Sequence, residues 1–142
     1  DISRRELEEA PPGPLKLVMD ARELTFLDRS FQTAASFFTL MYIAEKDHSA
    51  VFQEIHRVLA PGGRFLIWDA VLGTRPGDEI DYALVPLSVQ LPDREISTGY
   101  GIDWPSSPHD LAYFQRQAEA AGFQVESATT REQWLHLELR KP

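Results

Sequence analysis

The stretch VMDARELTFLDRSFQTAASFFTLMYIAEKDHSAVFQEIHRVLAPGGRFLIWDA, residues 18–70, decides the reading of the fold. Short apolar runs alternate with one amphipathic segment, and polar residues gather where the apolar runs end. Leu15 to Met19 reads as a short buried strand that stops at Asp20. QTAASFFTLMYI at 32–43 is a second apolar run, with β-branched Thr33 and aromatic residues behind it, and predicts a strand over about Thr33 to Ser36. From Asp47 the period turns helical, because Val51, Ile55, Val58 and Leu59 fall at i, i+4, i+7 and i+8 on one face. Pro61-Gly62-Gly63 is expected to end that helix, since proline cannot continue it and glycine accepts a left-handed cap. Arg64 to Leu72 is then almost continuously apolar, the pattern of a strand with helices over both faces of its sheet. Strand, strand, helix, strand in this order predicts the α/β class.

Working outward, Ser3 followed by Glu6 has the spacing of a capping box, which starts a short helix that Pro11-Pro12-Gly13-Pro14 must stop. Downstream, the segment from Ile80 to Trp104 changes period. Ala83, Val85, Leu87, Val89 and Leu91 alternate with other residues, and beyond Pro92-Asp93-Arg94 so do Ile96, Thr98, Tyr100, Ile102 and Trp104. Two alternating runs about a turn predict a hairpin over about 82–104, inserted after the strand that ends at Asp69. Pro108 to Ala121 returns to helix, with Leu111, Phe114 and Ala118 at helical spacing and Gly122 as its cap. Val125, and then Leu135, Leu137 and Leu139, predict two closing strands. No repeat, low-complexity tract or linker divides the chain, so residues 1–142 read as a single domain.

Composition narrows the function. A chain of 142 residues buries roughly two thirds of its unfolded surface, and 43% hydrophobic with 25% charged residues is ordinary globular composition. Fourteen basic against 22 acidic side chains leave a formal charge of -8, which repels a nucleic-acid backbone. No apolar run reaches the ~18 residues of a membrane span. Cysteine is absent, which removes disulfides and thiolate metal sites and fits a reducing cytoplasm. No signal peptide is visible; a soluble, cytoplasmic protein is the expectation.

Three segments resemble class I S-adenosylmethionine-dependent methyltransferases. One comprises Asp20-Ala21, the turn with Phe26, Asp28, Ser30 and Phe31, and EIHRVLAPGGRFLIWD at 54–69. Another is DISRRELEEA at 1–10, similar to the family segment that begins at the tip of the second strand. The third is AEAAGFQVESATTREQWLHLELRKP at 118–142, similar to the family's last helix and antiparallel strand pair. The resemblance implies a Rossmann-like, mostly parallel sheet with an antiparallel C-terminal strand, lacking the family's first strand and helix. One departure is Gln32, where the family usually has aspartate. The family's glycine-rich loop is not among these residues, so weak cofactor binding by this chain alone is expected. The strand over 33–36 is expected to have a free edge, which either the strand over 15–19 or a second copy of the chain would fill.

The resemblance also implies site residues. Asp20 would accept from the adenine amino group of S-adenosylmethionine, with the backbone of Ala21 reading the ring edge; the plain alternative is a turn aspartate. Asp1 would take the ribose hydroxyls, although a first residue tends to fray. Ser36 and Phe37 would pack against the cofactor, and Phe37, Phe38 or Tyr42 offers an aromatic face to a sulfonium. Tyr42, Tyr100, Asp103, Trp104 and His109 are the candidates for an acceptor pocket at the strand ends. His48, His56, His109 and His136 share no metal spacing, and no metal site is expected. His109 reads as a helix-cap neighbour and His56 as surface. Gly99-Tyr100-Gly101 lacks the third glycine of a dinucleotide fingerprint. Methyl transfer from an activated donor requires alignment more than a base, so no catalytic residue is named. A methyltransferase acting on a small molecule and a non-catalytic methyltransferase-like binding or interaction domain both remain open.

Overall fold

In the computed structural model, residues 1–77 and 82–142 are described; Ile80, where the change of period was placed, lies outside them. Four strands form the main sheet in the order β1-β2-β6-β5, with β1 at Phe31–Phe37, β2 at Leu59–Ala70, β5 at Gln124–Arg131 and β6 at Trp134–Arg140. β1 runs parallel to β2, whereas β6 is antiparallel to both β2 and β5. A second sheet is the hairpin of β3, Tyr82–Gln90, and β4, Glu95–Asp103. The helices are α1, Arg4–Glu9, α2, His48–Val58, and α3, Leu111–Ala120.

Both longer helices pack on one face of the sheet. Phe52 of α2 and Phe114 of α3 meet Phe65 and Ile67 of β2 and Leu135, Leu137 and Leu139 of β6, all of them buried. These are alternate residues of each strand, as one face requires. The opposite face corrects the expectation drawn from the apolar run at 64–72. No helix lies over it among the described residues. Its C-terminal end is covered by the hairpin, through Ala83, Val85 and Ile102 against Ala70 and Leu72, with Trp68 packed alongside. Its N-terminal end carries charges: Arg64 reaches Glu138 at 2.5 Å and Glu126 at 3.6 Å, and Arg140 reaches Glu126 at 3.5 Å.

Residues 15–19 are a second correction, for they join no strand. A strand is a property of its neighbours, and among the described residues Asp1 is the one backbone hydrogen-bond partner of this segment. The Asp1 amino group donates to Leu17 O at 3.2 Å and the Met19 amide donates to Asp1 O at 2.9 Å, which also tethers the first residue that was expected to fray. Leu15 consequently stays 86% exposed. The capping box is half formed. Ser3 Oγ accepts from the Glu6 amide at 3.3 Å, but the Ser3 amide donates to Asp1 Oδ1 at 2.7 Å instead of to Glu6.

The break after α2 comes earlier than Pro61. The helix stops at Val58, and its last carbonyls are taken by the Lys141 ammonium, which donates to His56 O at 2.6 Å and Leu59 O at 2.8 Å. Pro61-Gly62-Gly63 falls inside β2 as an irregular start that pairs with Lys141 rather than as a helix cap. A Cβ on Gly63 would stand 2.8 Å from Ala60 O and 3.2 Å from Gln32 O. Both obstacles are backbone.

At the far end of β2, Asp69 is fully buried in a strand of apolar residues. Its Oδ2 accepts from the Leu40 amide at 2.8 Å and its Oδ1 from the Ala70 amide at 2.8 Å. The chain arrives there through Phe38, whose φ of 47° is left-handed and unusual for an aromatic residue. Asp69 thus fixes the short 3-10 turn Leu40–Tyr42 over the end of the sheet. Burial pushes the Asp69 carboxyl up to about 6, against the pull of its amide donors.

Three outcomes are predicted. Gly63→Ala lowers stability by about 1–3 kcal/mol in chemical denaturation, because backbone must move. Gly73→Ala, where a Cβ meets nothing within 4 Å, leaves stability within about 0.5 kcal/mol. Asp69, observed by carbon NMR, titrates with a midpoint near 6. A carboxyl whose folded pKa exceeds its unfolded value contributes most below the unfolded value, 3.8 here, and loses that contribution as pH rises through about 6. Ionisation thus costs about 3 kcal/mol, and the stability difference between wild type and Asp69→Asn changes by that order over this window. A midpoint below 4 refutes the assignment.

Candidate functional site

Past the C-terminal ends of β1 and β2 lies a cavity of about 470 Å³, lined by the turn after β1, by Leu72, by the end of β4 and by the segment leading to α3. Tyr42, Asp103, Trp104 and His109, predicted from sequence, all line it. Tyr100 does not. It stacks on Phe38 at 5.8 Å and meets Tyr42 edge-on at 6.0 Å, so it supports the wall from behind.

His109 is held by a two-bond bridge to the residue that leaves β2. The His109 amide donates to Leu72 O at 2.8 Å and the Leu72 amide to His109 O at 3.1 Å. The next residue, Asp110, caps α3 by accepting from the Tyr113 amide at 2.8 Å, which agrees with the cap-neighbour reading of His109. Yet the side chain is only 3% exposed and stacks on Tyr113 at 4.5 Å, and neither ring nitrogen has a hydrogen-bond partner. Trp104 Nε1 is likewise buried without a partner.

Glu45 stands beside this ring, with Oε2 at 3.8 Å from His109 Nε2, too far for a hydrogen bond. Its carboxylate accepts from Ser106 Oγ at 2.5 Å and Ser107 Oγ at 2.7 Å, and those two hydroxyls hold its pKa below the ordinary value. Burial lowers the His109 pKa, helped by His48 and opposed by Glu45, so the neutral ring is favoured at pH 7. Behind it, His48 is fully buried, with Nε2 3.0 Å from Leu40 O and Nδ1 2.8 Å from the Tyr113 hydroxyl. A carbonyl only accepts, so Nε2 carries the proton and Nδ1 accepts from Tyr113. Burial first, and Glu45 second, push the Tyr113 hydroxyl up to about 12.

Glu45, His48, Ser106, Ser107 and Tyr113 were not read as site residues from sequence. His48 and Tyr113 sit on the apolar stripes of α2 and α3, where a polar ring among buried neighbours is the one available signal. Glu45 meets its serines across 61 and 62 residues, and no local pattern encodes that.

Two of the cofactor candidates, Ser36 and Phe37, lie at the C-terminal end of β1. Ser36 Oγ is buried with no partner, beside Phe37, which is 55% exposed at the tip of β1. Asp20 opens a turn, its carbonyl accepting from the Glu23 amide at 3.2 Å. Its two oxygens accept from the Arg22 amide at 2.9 Å and from the Arg22 guanidinium at 2.7 to 3.1 Å, and Arg22 also donates to Asp47 at 2.9 Å. The Arg22 guanidinium holds the Asp20 carboxyl below its ordinary value. Ala21 packs against the helix-side core. Asp1 Oδ1 is taken by the Ser3 amide. The orphaned Ser36 hydroxyl and the open Phe37 ring fit the adenosine part of S-adenosylmethionine; a glycine-rich cradle for its methionine part is not found among the described residues.

Residues 1–67 match the family described as Methyltransferase domain. Sterol 4-C-methyltransferase strm-1 of Caenorhabditis elegans is 38% identical over 52 residues, 37% of this chain and 15% of that protein. Ubiquinone/menaquinone biosynthesis C-methyltransferase UbiE of Desulfotalea psychrophila is 37% identical over 90 residues, 60% of this chain and 35% of that protein. The chain therefore spans about a third or less of the length of these curated relatives. Among solved structures, an S-adenosylmethionine-dependent methyltransferase from Mesorhizobium loti superposes with a TM-score of 0.64 at 17% identity, covering 99% of this chain and 78% of that one. One from Listeria monocytogenes, described as a methyltransferase of the same dependence by assignment, gives 0.63 at 14% identity, covering 100% and 78%. Residues 1–67 thus match the methyltransferase domain family, and along its length the chain has a fold similar to that of S-adenosylmethionine-dependent methyltransferases.

Proposed function

We propose that the protein transfers a methyl group from S-adenosylmethionine to a small molecule held in the cavity over β1 and β2. The observation that carries this reading is the juxtaposition of two parts at one sheet end. Trp104 and His109, whose ring nitrogens are buried with no partner among the described residues, line a cavity of about 470 Å³, and the Ser36 hydroxyl, likewise without a partner, stands with the exposed Phe37 ring at the tip of β1. Crevices at the C-terminal strand ends are where open α/β sheets bind ligands. The names of the sterol and quinone C-methyltransferases support a small acceptor.

In this reading Asp20 accepts from the adenine amino group, the Ala21 backbone reads the ring edge, and Ser36 and Phe37 hold the sugar side. Asp1 offers its remaining carboxylate oxygen to the ribose. The cofactor, when bound, supplies an electrophilic methyl group on a sulfonium. Phe37, Phe38 and Tyr42 supply aromatic faces that favour positive charge nearby. The cavity walls align the acceptor and keep water from competing with it. The Arg22 guanidinium competes for Asp20, so adenine recognition requires it to yield part of its hold. That competition is the one observation favouring a methyltransferase-like domain that binds without chemistry.

Calorimetric titration of the protein with S-adenosylhomocysteine tests the cofactor side of this reading, and transfer of labelled methyl from S-adenosylmethionine to a small acceptor separates it from binding without chemistry. Asp20→Ala is expected to weaken binding by about tenfold or more, the loss of a charge-assisted hydrogen bond. Arg22→Met, which frees Asp20, is expected to strengthen it. Unchanged affinity in Asp20→Ala refutes the adenine assignment, and absence of binding in the wild type favours the non-catalytic domain.

A further inference from the structure

We infer that the cavity selects a neutral acceptor bearing a hydroxyl or N–H group, with the His109 imidazole receiving that group's proton and the Trp104 indole N–H donating to the same group. The inference deepens the small-molecule reading and rests on it. Trp104 Nε1 can only donate, whereas a neutral imidazole has one nitrogen that accepts. Both are buried without partners and both side chains line one cavity. A single group that accepts from the indole and donates to the accepting imidazole nitrogen is a hydroxyl or an amine; a carboxylate can pair only with N–H groups and leaves that nitrogen unsatisfied. Buried polar atoms left unpaired are costly, which makes their simultaneous satisfaction selective.

Charge points the same way. The described lining contains the carboxylates of Glu45 and Asp103 and no lysine or arginine. An anionic acceptor would meet these without a counter-charge. Proton transfer is balanced locally: the O–H or N–H bond of the acceptor breaks, its electron pair stays on the acceptor, and the proton moves to an imidazole nitrogen. The imidazolium so formed faces the Glu45 carboxylate at 3.8 Å, which Ser106 and Ser107 keep ionised. The proton then passes to solvent. Glu45 is a positioning residue, as it reaches the acceptor only through His109. The groups facing His109 are Glu45, His48 and Tyr113, and of these Glu45 alone favours the protonated ring. His109 is thus neutral before the acceptor enters and a stabilised cation after it gives up its proton.

Three probes of similar size test this: 4-ethylphenol, benzoate and ethylbenzene, titrated into nitrogen-labelled protein. The indole signal of Trp104, assigned with Trp104→Phe, and the imidazole signals of His109 are followed. Saturable shifts of both with 4-ethylphenol are expected, with benzoate and ethylbenzene at least about tenfold weaker. His109→Phe is expected to abolish the preference for the phenol over ethylbenzene; should it unfold, Trp104→Phe is expected to reduce that preference in its place. Equal or tighter binding of benzoate, or phenol binding that leaves both signals unmoved, overturns the inference. Loss of S-adenosylhomocysteine binding would overturn the methyltransferase reading without touching these shifts, so the two failures are distinguishable.

Discussion

The hydrogen bond from the Leu40 amide to the buried Asp69 carboxylate, 2.8 Å long, is the constraint on which the rest of the active end depends. β1 ends at Phe37, and the chain must turn sharply to descend into α2. A bare turn over a sheet end leaves backbone amides without partners, and burying such groups unpaired is expensive. One carboxylate at the end of β2 meets that need across two strands. With the turn fixed, Tyr42 and Glu45 reach the cavity, and the Leu40 carbonyl is aimed at His48. His48 in turn holds Tyr113, on which His109 stacks. A single buried acid therefore connects the sheet to every wall of the cavity except the hairpin. Its raised pKa is the cost of the position, since amides alone do not replace the water that a charge loses.

The segment that carries Asp20 is held differently. It has no strand partner beyond one residue, so its hold on the body comes from side chains of α2. Arg57 donates to Leu24 O at 2.7 Å, Phe26 O at 2.9 Å and Asp28 Oδ1 at 2.6 Å, while Glu54 accepts from the Leu24 amide at 2.8 Å. Arg57 and Glu54 also bond each other, at 2.8 and 2.9 Å. A guanidinium suits this task because its fan of donors reaches several carbonyls at once. The family-like turn around Phe26 and Asp28 is explained by this arrangement: those residues supply acceptors to a helix, whatever they contribute to a ligand.

Elements whose cause is local were legible in the sequence. The apolar stripes of α2 and α3 are periodic because each helix has one buried face, and the alternation over 82–104 is that of a hairpin with one side against the sheet. Non-local causes were not legible. Leu15 to Met19 has the composition of a strand, but strand formation needs neighbours that composition does not report. The apolar run at 64–72 announces burial without saying what covers it, and here a hairpin takes the place of a helix on one side. The carbonyls at the end of α2 are met by Lys141, 85 residues beyond His56 in sequence, which no local pattern around Pro61 reports. In the candidate site, strand-end position was enough to suggest Tyr42, Asp103, Trp104 and His109. Their chemistry depends on Glu45 and two serines that meet only in the folded chain.

The bridge between Leu72 and His109 has a bearing on how such a protein changes over generations. It brings together the two ends of an inserted segment with a pair of backbone bonds at 2.8 and 3.1 Å. Backbone bonds do not depend on which side chains lie between them, and the entropy of closing a longer or shorter excursion varies slowly with its length. The clasp therefore holds the two ends of the span between 73 and 108 in register, while the hairpin within it packs on Ala70 and Leu72. An insertion, deletion or wholesale exchange in that span alters the cavity while the ends stay in register. Selection can rewrite what the cavity admits so long as the residues that pack on Ala70 and Leu72 stay apolar, and the imidazole at the clasp itself travels with the unchanging part.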